Sequence, residues 1–486
     1  MYIKLSKNSF VRIYDDGQLG YITNQLTRHD RTYDEIGADF LAQITRIPQD
    51  ISCIVDRLTN IFDADRGVIE SDFLEFSRDL YDHKFVLLGE DPESLDDEDL
   101  TFSYMMENPK TLAEDFVQDT KQSVENCTQD FLLEHDKARP RLASLEFEIT
   151  SRCNERCIHC YIPNAKKNAG FDLTFDRFKY ILDQFAAMGG IHVTISGGEA
   201  LLNKDVMKML SYSREKDMMI SLLTNLTYLK DEQIPMLKEV NISLIQVSLY
   251  SMNPETHDMI TTVKGSFEKT KAAIEKLYDA DIPVQVSCPV MKANKKDYKE
   301  VLQYANSLRM KAQTDYIMMA ESNLDTSNLA NRISIPETEE LLRDIIDWDK
   351  DYHDEILEQE PISSIPEKEY SAMPMCGAGI NDLCVTVNGE IYPCAGWQAM
   401  VCGNVFKQSL KEIWEKSPQL ATVRKVTHKD FPKCLKCEAR DYCAMCLVRN
   451  YNESNGDMFK INEHFCKVAF LTKKLVEEYK EKNMKA

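Results

Sequence analysis

The chain has 486 residues, a formal net charge of −22 and fifteen cysteines. Such acidity argues against holding nucleic acid by phosphate neutralisation, and no run approaches the eighteen apolar residues of a membrane span. The start Met1-Tyr-Ile-Lys lacks an apolar signal segment, so the sequence predicts a cytoplasmic chain whose cysteines serve metals rather than disulfides.

The length predicts about three domains. Charge is uneven: of the net −22, −16 falls in residues 1–140, leaving −6 for the rest. Tyr2–Leu5, Phe10–Tyr14 and Gly20–Asn24 read as short strands, with Asp15-Asp-Gly17 as a turn. Helical patterns follow near Tyr33–Thr45, Asp50–Phe62 and Ile69–His83, then a strand, Phe85–Leu88. Strands followed by three helices predict a small winged-helix-like unit over 1–95. Its acidity disfavours the DNA-reading use of that shape. Asp91–Asp99, six acids in nine residues, reads as a solvated linker, and 96–140 as linker and helical spacer. Cys53, Cys127 and Cys288 stand alone in apolar or helical contexts, which predicts small core residues.

Residues 141–345 alternate strand and helix. The predicted strands are Leu145–Thr150, His192–Ser196, Met219–Thr224, Leu244–Tyr250, Val284–Val290 and Ala312–Met319. Amphipathic stretches such as Phe175–Met188 and Phe267–Tyr278 lie between them. Six such units predict an α/β fold, a partial (β/α)6 parallel barrel with helices outside. Sites in parallel barrels form at the C-terminal strand ends. Two motifs fall there. One is Cys153-x3-Cys157-x2-Cys160, in a loop after the first strand. Thiolates are the soft ligands that iron–sulfur clusters require, and three leave one iron of a cubane open for a substrate or cofactor. By itself the triplet also suits a zinc knuckle or a structural cluster. The other motif is Gly197-Gly198-Glu199 after a β-branched strand, where two glycines let backbone approach a ligand and the acid can accept from an ammonium.

A linker, Pro361-Ile-Ser-Ser-Ile-Pro-Glu-Lys, precedes a Cys-rich region over 346–486. It runs Cys376-x12-Gly389-x4-Cys394, then Cys434-x2-Cys437-x5-Cys443-x2-Cys446, then Cys466. A four-cysteine zinc ribbon is the alternative for Cys434 to Cys446.

The triplet and Gly-Gly-Glu together resemble the radical S-adenosylmethionine (SAM) enzymes. That resemblance implies that the cluster on Cys153, Cys157 and Cys160 chelates SAM through its open iron. His159 would lie against the adenine, Glu199 would accept from the methionine ammonium, and Gly197 and Gly198 would flank it. Asn225 and Ser248 would bond the ribose or methionine carboxylate, or are ordinary strand-end polar residues. The C-terminal cysteines resemble the SPASM extension, which carries two auxiliary 4Fe–4S clusters, so three 4Fe–4S clusters are implied in all. Carried over, Cys434, Cys437, Cys443 and Cys466 hold an outer cluster, and Cys376, Cys394 and Cys446 an inner one. Its fourth ligand is Cys384, is Cys402, or is missing. The usual ending is Cys-x3-Cys, whereas Cys443-x2-Cys446 is one residue shorter.

The segment Gln246 to Phe267 resembles that of peptide maturases. Thr261 stands where sulfatase-maturing relatives carry an Arg, and Ala395 where they carry a basic Asp, which counts against sulfatase maturation. The N-terminal unit resembles the recognition element of maturases of ribosomally made peptides, which takes up a leader as an extra strand. The family implied is thus the radical SAM/SPASM peptide maturases, sactisynthase- and ranthipeptide-like. Such an enzyme releases a 5′-deoxyadenosyl radical and closes a thioether from a peptide cysteine to a carbon, or a carbon–carbon bond. It implies a precursor peptide and a flavodoxin- or ferredoxin-type electron donor as partners, and no catalytic residue beyond the cluster ligands. The rivals are a radical maturase of a small molecule or protein-derived cofactor, and a non-catalytic iron–sulfur or zinc regulator.

Overall fold

A computed structural model describes residues 1–14, 17–93, 95, 99–106, 140–348 and 365–483. The expected spacer over 107–139 with Cys127, the first half of the Pro361 linker, and parts of the Asp15 turn and Asp91–Asp99 stretch lie outside these residues.

Six parallel strands form the centre: β7 (Ser144–Glu148), β8 (His192–Ser196), β9 (Met219–Thr224), β10 (Leu244–Ser248), β11 (Val284–Pro289) and β12 (Lys311–Asp315). They lie in chain order, with β7 pairing β8 and β11 pairing β12, and with helices between them. This is the expected partial barrel. Parallel strands buried on both faces read as continuous apolar runs, but these alternate. Leu145, Phe147, Val193, Ile195, Leu222, Val247 and Val286 point to the helices and are fully buried. The intervening positions, Glu146, Glu148, Thr194, Ser196, Gln246, Ser248, Gln285 and Gln313, are polar. The alternation therefore records a polar chamber inside the barrel.

The sheet does not stop at β7. A strand β13 (Asp382–Val385) pairs parallel with it, Asp382 opposite Ser144 and Cys384 opposite Glu146. Two short antiparallel strands, β14 (Glu390–Tyr392) and β15 (Gly403–Asn404), complete nine strands. The cysteine-rich region is thus built onto the barrel sheet.

The N-terminal residues form two three-stranded sheets. One is β1 (Tyr2–Leu5) between β5 (Gln49–Asp50) and β6 (Val86–Gly89); the other is the meander β2 (Ser9–Tyr14), β3 (Leu19–Asn24) and β4 (Asp30–Tyr33). Helices Glu35–Gln43 and Ile51–Leu58 start at Asp34 and Asp50, whose carboxylates accept from Gly37 and Ser52 N–H. The sequence reading missed β4, whose Asp-Arg-Thr-Tyr is half-buried throughout and carries no apolar alternation. Cys53 is a correction. It is exposed, because Ile51, Ile54, Val55 and Leu58 form the inward face of its helix and Cys53 lies opposite. Cys288 is buried in the core.

This unit packs on the N-terminal ends of the barrel strands. Arg46 binds Asp217, just before β9, with Nε–Oδ1 2.7 Å, and Arg12 Nε donates to Gly190 O at 2.8 Å. Phe10, Tyr14 and Tyr21 share a small apolar core with Ala143 and Ile191. The unit and the C-terminal strand ends are therefore at opposite mouths of the barrel.

Candidate active site

The Cys153–Cys160 loop leaves β7 through Thr150, which bridges to Asp172, and is tied back at several points. Arg156 N–H and Ile158 N–H donate to Thr261 O and Ile260 O, both at 3.0 Å. Asn331 Nδ2 donates to Ile158 O at 2.8 Å, and Arg152 pairs with Asp172 at 2.6 Å. Gly198 N–H and Glu199 N–H donate to Thr150 O and Arg152 O, each at 2.8 Å. A Cβ at Gly198 would lie 2.2 Å from Arg152 O, and one at Gly197 (φ +136°) 2.5 Å from Thr150 O. The two glycines thus serve the contact between the turn and the cysteine loop.

Glu199 is buried at the end of β8. It accepts from Leu201 N–H (2.9 Å), Thr224 Oγ1 (2.5 Å) and Asn225 N–H (2.7 Å), stapling β8 to β9. Asn225 Nδ2 donates to Asn154 Oδ1 at 3.1 Å, which brings the β9 end to the cysteine loop. Ser248 ends β10 two residues before Tyr250, whose buried hydroxyl lies 3.9 Å from Cys157 Sγ. The His159 ring meets Tyr250 edge-on with centroids 5.0 Å apart. Burial, then the Lys167 charge, hold His159 down to about 4, so its ring is neutral. Thr261 is fully buried and bonds Ser266 Oγ at 2.7 Å.

The three thiols are half-buried. Burial pushes Cys153 up to about 11 and raises Cys157 as well, and Cys157 also feels Glu155, Cys160 and Cys153. The distant cysteines assemble in two groups. Cys394 is raised by burial and senses Cys446 and Cys376. Cys443 is raised to about 11 by burial and then by Cys466, Cys434 and Cys437. Cys384 is buried and close enough to Cys394 to feel its charge, whereas Cys402 lies in the barrel core and donates to Met400 O at 3.6 Å. Among the described residues no three His, Cys, Asp or Glu side chains are arranged to hold a single metal ion.

The family model described as "Radical SAM superfamily" matches residues 147–305, and that of the SPASM iron–sulfur cluster-binding domain matches residues 376–438. The chain carries a radical SAM domain followed by a SPASM domain. An AdoMet-dependent heme synthase of Methanosarcina barkeri is 28% identical over 67% of this chain and 96% of its own length. The subtilosin biosynthesis protein AlbA of Bacillus subtilis is 29% identical over 63% of this chain and 68% of its own. A crystal structure of Streptococcus suis SuiB bound to precursor peptide SuiA superposes with TM-score 0.61, at 17% identity, over 92% of this chain and 96% of that one.

The residues present fit the cofactors that radical SAM and SPASM domains imply. Three thiols lie in one loop, beside two polar atoms buried without a partner, His159 Nδ1 and Glu155 Oε1. Trp397 Nε1, packed with Cys394 and Cys446, is likewise buried without an acceptor. These atoms are donors and an acceptor in want of a ligand.

Sequence reasoning overlooked a group of acids on the chamber wall, Glu148 buried and Glu146 and Asp382 half-buried. Glu146 accepts from Ser196 Oγ at 2.6 Å, and Glu148 accepts from Gln398 Nε2 at 2.5 Å. Lys166 Nζ donates to Gln398 Oε1 at 2.6 Å. Burial, then Glu146, push Glu148 up to about 8, and burial pushes Asp382 far above the carboxylate range. The signal was readable: in Leu145-Glu-Phe-Glu-Ile149 the acids occupy one face of the strand.

Proposed function

We propose that this protein modifies a ribosomally made precursor peptide, forming a thioether from a peptide cysteine to a carbon of another residue. The observation that carries this reading is the likeness in fold to SuiB bound to its precursor peptide, over 92% of the chain. A second feature supports it. Among the described residues the outer edge of β4 takes no further strand. Beside it a groove is floored by Tyr33, Ile36, Phe40 and Phe76 and rimmed by Asp34, Asp72 and Glu75. An extended leader could add to that edge by main-chain bonds, with an apolar side chain in the groove and a basic one at its rim.

In this reading residues 1–95 recognise the leader, 141–345 form the reaction chamber, and 346–486 carry auxiliary clusters. Cys153, Cys157 and Cys160 hold the SAM cluster; Cys376, Cys394 and Cys446, with Cys384 beside them, hold the inner one, and Cys434, Cys437, Cys443 and Cys466 the outer. When bound, SAM and the clusters supply a 5′-deoxyadenosyl radical and electron transfer. The protein's own groups do the rest. Glu199 keeps acceptor capacity for the SAM ammonium, neutral His159 offers a flat face for adenine, and Asn225 holds the loop against β9. Gln246, Ser248 and Gln285 offer polar contacts along the chamber wall. Thioether closure removes one hydrogen from the thiol and one from the carbon, a two-electron oxidation.

A second reading, modification of a tetrapyrrole or another small molecule, is favoured by the heme synthase match. One experiment separates them. Anaerobically reconstituted protein is incubated with reductant, SAM and the cysteine-containing peptide encoded beside its gene. A product lighter by two hydrogens, with its cysteine no longer alkylated by iodoacetamide, supports the thioether. The same mass loss with an alkylatable cysteine assigns a carbon–carbon bond. Unchanged peptide, with turnover of a tetrapyrrole, overturns the peptide reading.

A further inference from the structure

The helix Asn164–Asn168 follows the cysteine loop directly and turns one side chain fully inward. That side chain is a lysine. Asn164, Ala165 and Asn168 are exposed and Lys166 is half-buried, whereas Lys167 is 4% exposed. A short surface helix ordinarily buries an apolar residue at such a position. The placement is held from both sides. Arg156 Nη2, within the cysteine loop, donates to Asn168 Oδ1 at 2.7 Å, and Lys166 Nζ reaches Gln398.

Among the described residues the Lys167 ammonium has no hydrogen-bond acceptor and no carboxylate within ion-pair distance. Lysines drawn this far into a fold are ordinarily paired with an anion. Its field falls on Cys153 and Cys157, and further on Glu155, His159 and Glu321. Glu155 is not within ion-pair distance of the lysine: its Oε2 accepts from Cys157 Sγ at 3.5 Å, and its Oε1 has no partner. Glu321 lies in a loop beyond β12 and does not touch the lysine. What the loop does offer is three thiolates once a cluster is bound.

We propose that Lys167 is the counter-charge of the cluster held by Cys153, Cys157 and Cys160, and that it raises the reduction potential of that cluster. A cubane on three thiolates is an anion in its oxidised state and gains a further negative charge when one electron enters from the donor. A fixed cation in a poorly solvated site stabilises the more negative state more, so it favours reduction. The inference rests on assigning those three cysteines to a cluster, and the test separates the two.

The protein is reconstituted anaerobically as wild type, Lys167→Met and Lys167→Arg, with Cys153→Ala/Cys157→Ala/Cys160→Ala to identify the signal. Each is titrated with dithionite and mediators in the absence of SAM, and the reduced cluster is read by electron paramagnetic resonance. If no signal is lost in the triple variant, the cluster assignment fails. If the signal is assigned, Lys167→Met should hold about tenfold less reduced cluster at a fixed potential, which is 59 mV for one electron, and Lys167→Arg should stay within about threefold of wild type. Lys167→Met titrating with wild type overturns the proposal. So does an unmoved potential with SAM affinity about tenfold weaker by equilibrium dialysis, which gives the lysine to the cofactor carboxylate. If Lys167→Met loses this cluster but keeps the auxiliary iron, retention in Lys167→Arg supports the charge role, and loss in Lys167→Arg too assigns Lys167 to packing and ends the proposal.

Discussion

Arg332 and Glu453 meet as a fork against a carboxylate, Nη1–Oε2 at 2.9 Å and Nη2–Oε1 at 2.6 Å, with both side chains nearly buried. Arg332 follows the turn that braces the cysteine loop through Asn328 and Asn331, and Glu453 ends the helix that begins after Cys446. The pair therefore fixes the SPASM cysteines to the barrel mouth. Removing one member of a buried pair leaves the other charge uncompensated, at about 3 kcal/mol or more. Glu453→Gln should lower the melting temperature of the loaded protein by several degrees in calorimetry. Arg332→Met with Glu453→Leu should recover part of that loss, since replacing both partners by apolar groups is often nearly neutral.

Changing Cys153, Cys157 and Cys160 together to Ala should abolish deoxyadenosine production by chromatography. The auxiliary sites should persist, because their cysteines are held by β13, by the helices after Cys394 and by the helix Glu463–Asn483, none of which includes the loop after β7. Iron should fall by about four from about twelve per chain if all three sites carry cubanes. Zinc in place of the remaining iron would contradict the SPASM cluster assignment.

Much of this arrangement was legible because it is local. The strands His192–Ser196 and Met219–Thr224 end in the structure where their apolar alternation ends in the sequence. The grouping of Cys434, Cys437, Cys443 and Cys466 rests on the SPASM resemblance and not on spacing, since Cys446 lies nearer to Cys443 in the chain than Cys466 does; in the fold Cys443 senses the other three. What could not be read depends on partners distant in the chain. Asp382–Val385 is apolar enough to suit many environments, and only its pairing with Ser144–Phe147 makes it an extension of the barrel. Gly197 and Gly198 read as a ligand cradle, yet it is Thr150 and Arg152 that crowd them. Lys167 carries no signal at all, since a lysine in Asn-Ala-Lys-Lys-Asn reads as surface.

Glu148 makes stability depend on pH. Its carboxyl is raised to about 8 in the fold, first by burial and then by Glu146, against an ordinary 4.5. The fold thus prefers the protonated acid. Its contribution is complete below about 4.5 and drains away as pH rises through about 8. Glu148→Gln keeps a neutral polar group and removes this drain. The melting temperature of the variant relative to wild type should climb steadily between pH 6 and pH 8, by the equivalent of at most about 3 kcal/mol at about 1.4 kcal/mol per pH unit. A constant difference across that window would show that Glu148 titrates in the ordinary range.

The N-terminal unit should be tested in place rather than by deletion. Removing it would expose Ala143 and Ile191, which complete a core with Phe10, Tyr14 and Tyr21, and would strip both arginines from Asp217. Loss of activity in a truncated chain would then report damage to the barrel floor. Ile36 offers a cleaner probe: it lines the groove beside β4 yet is 58% exposed, so changing it costs the fold little. Ile36→Asn removes an apolar contact worth about 1.5 kcal/mol when fully buried, or about tenfold in affinity. Deoxyadenosine release without peptide should be unchanged, because the groove and the cysteine loop lie at opposite mouths of the barrel. Cross-linking of a full-length precursor should fall about tenfold at low concentration and recover when precursor is in excess, a rise in KM at constant kcat. A leaderless core peptide should be modified equally, and poorly, by both proteins, since it gains nothing from the tether. Equal kcat/KM of Ile36→Asn and wild type on full-length precursor would remove the groove from recognition, and the leader would have to be bound elsewhere.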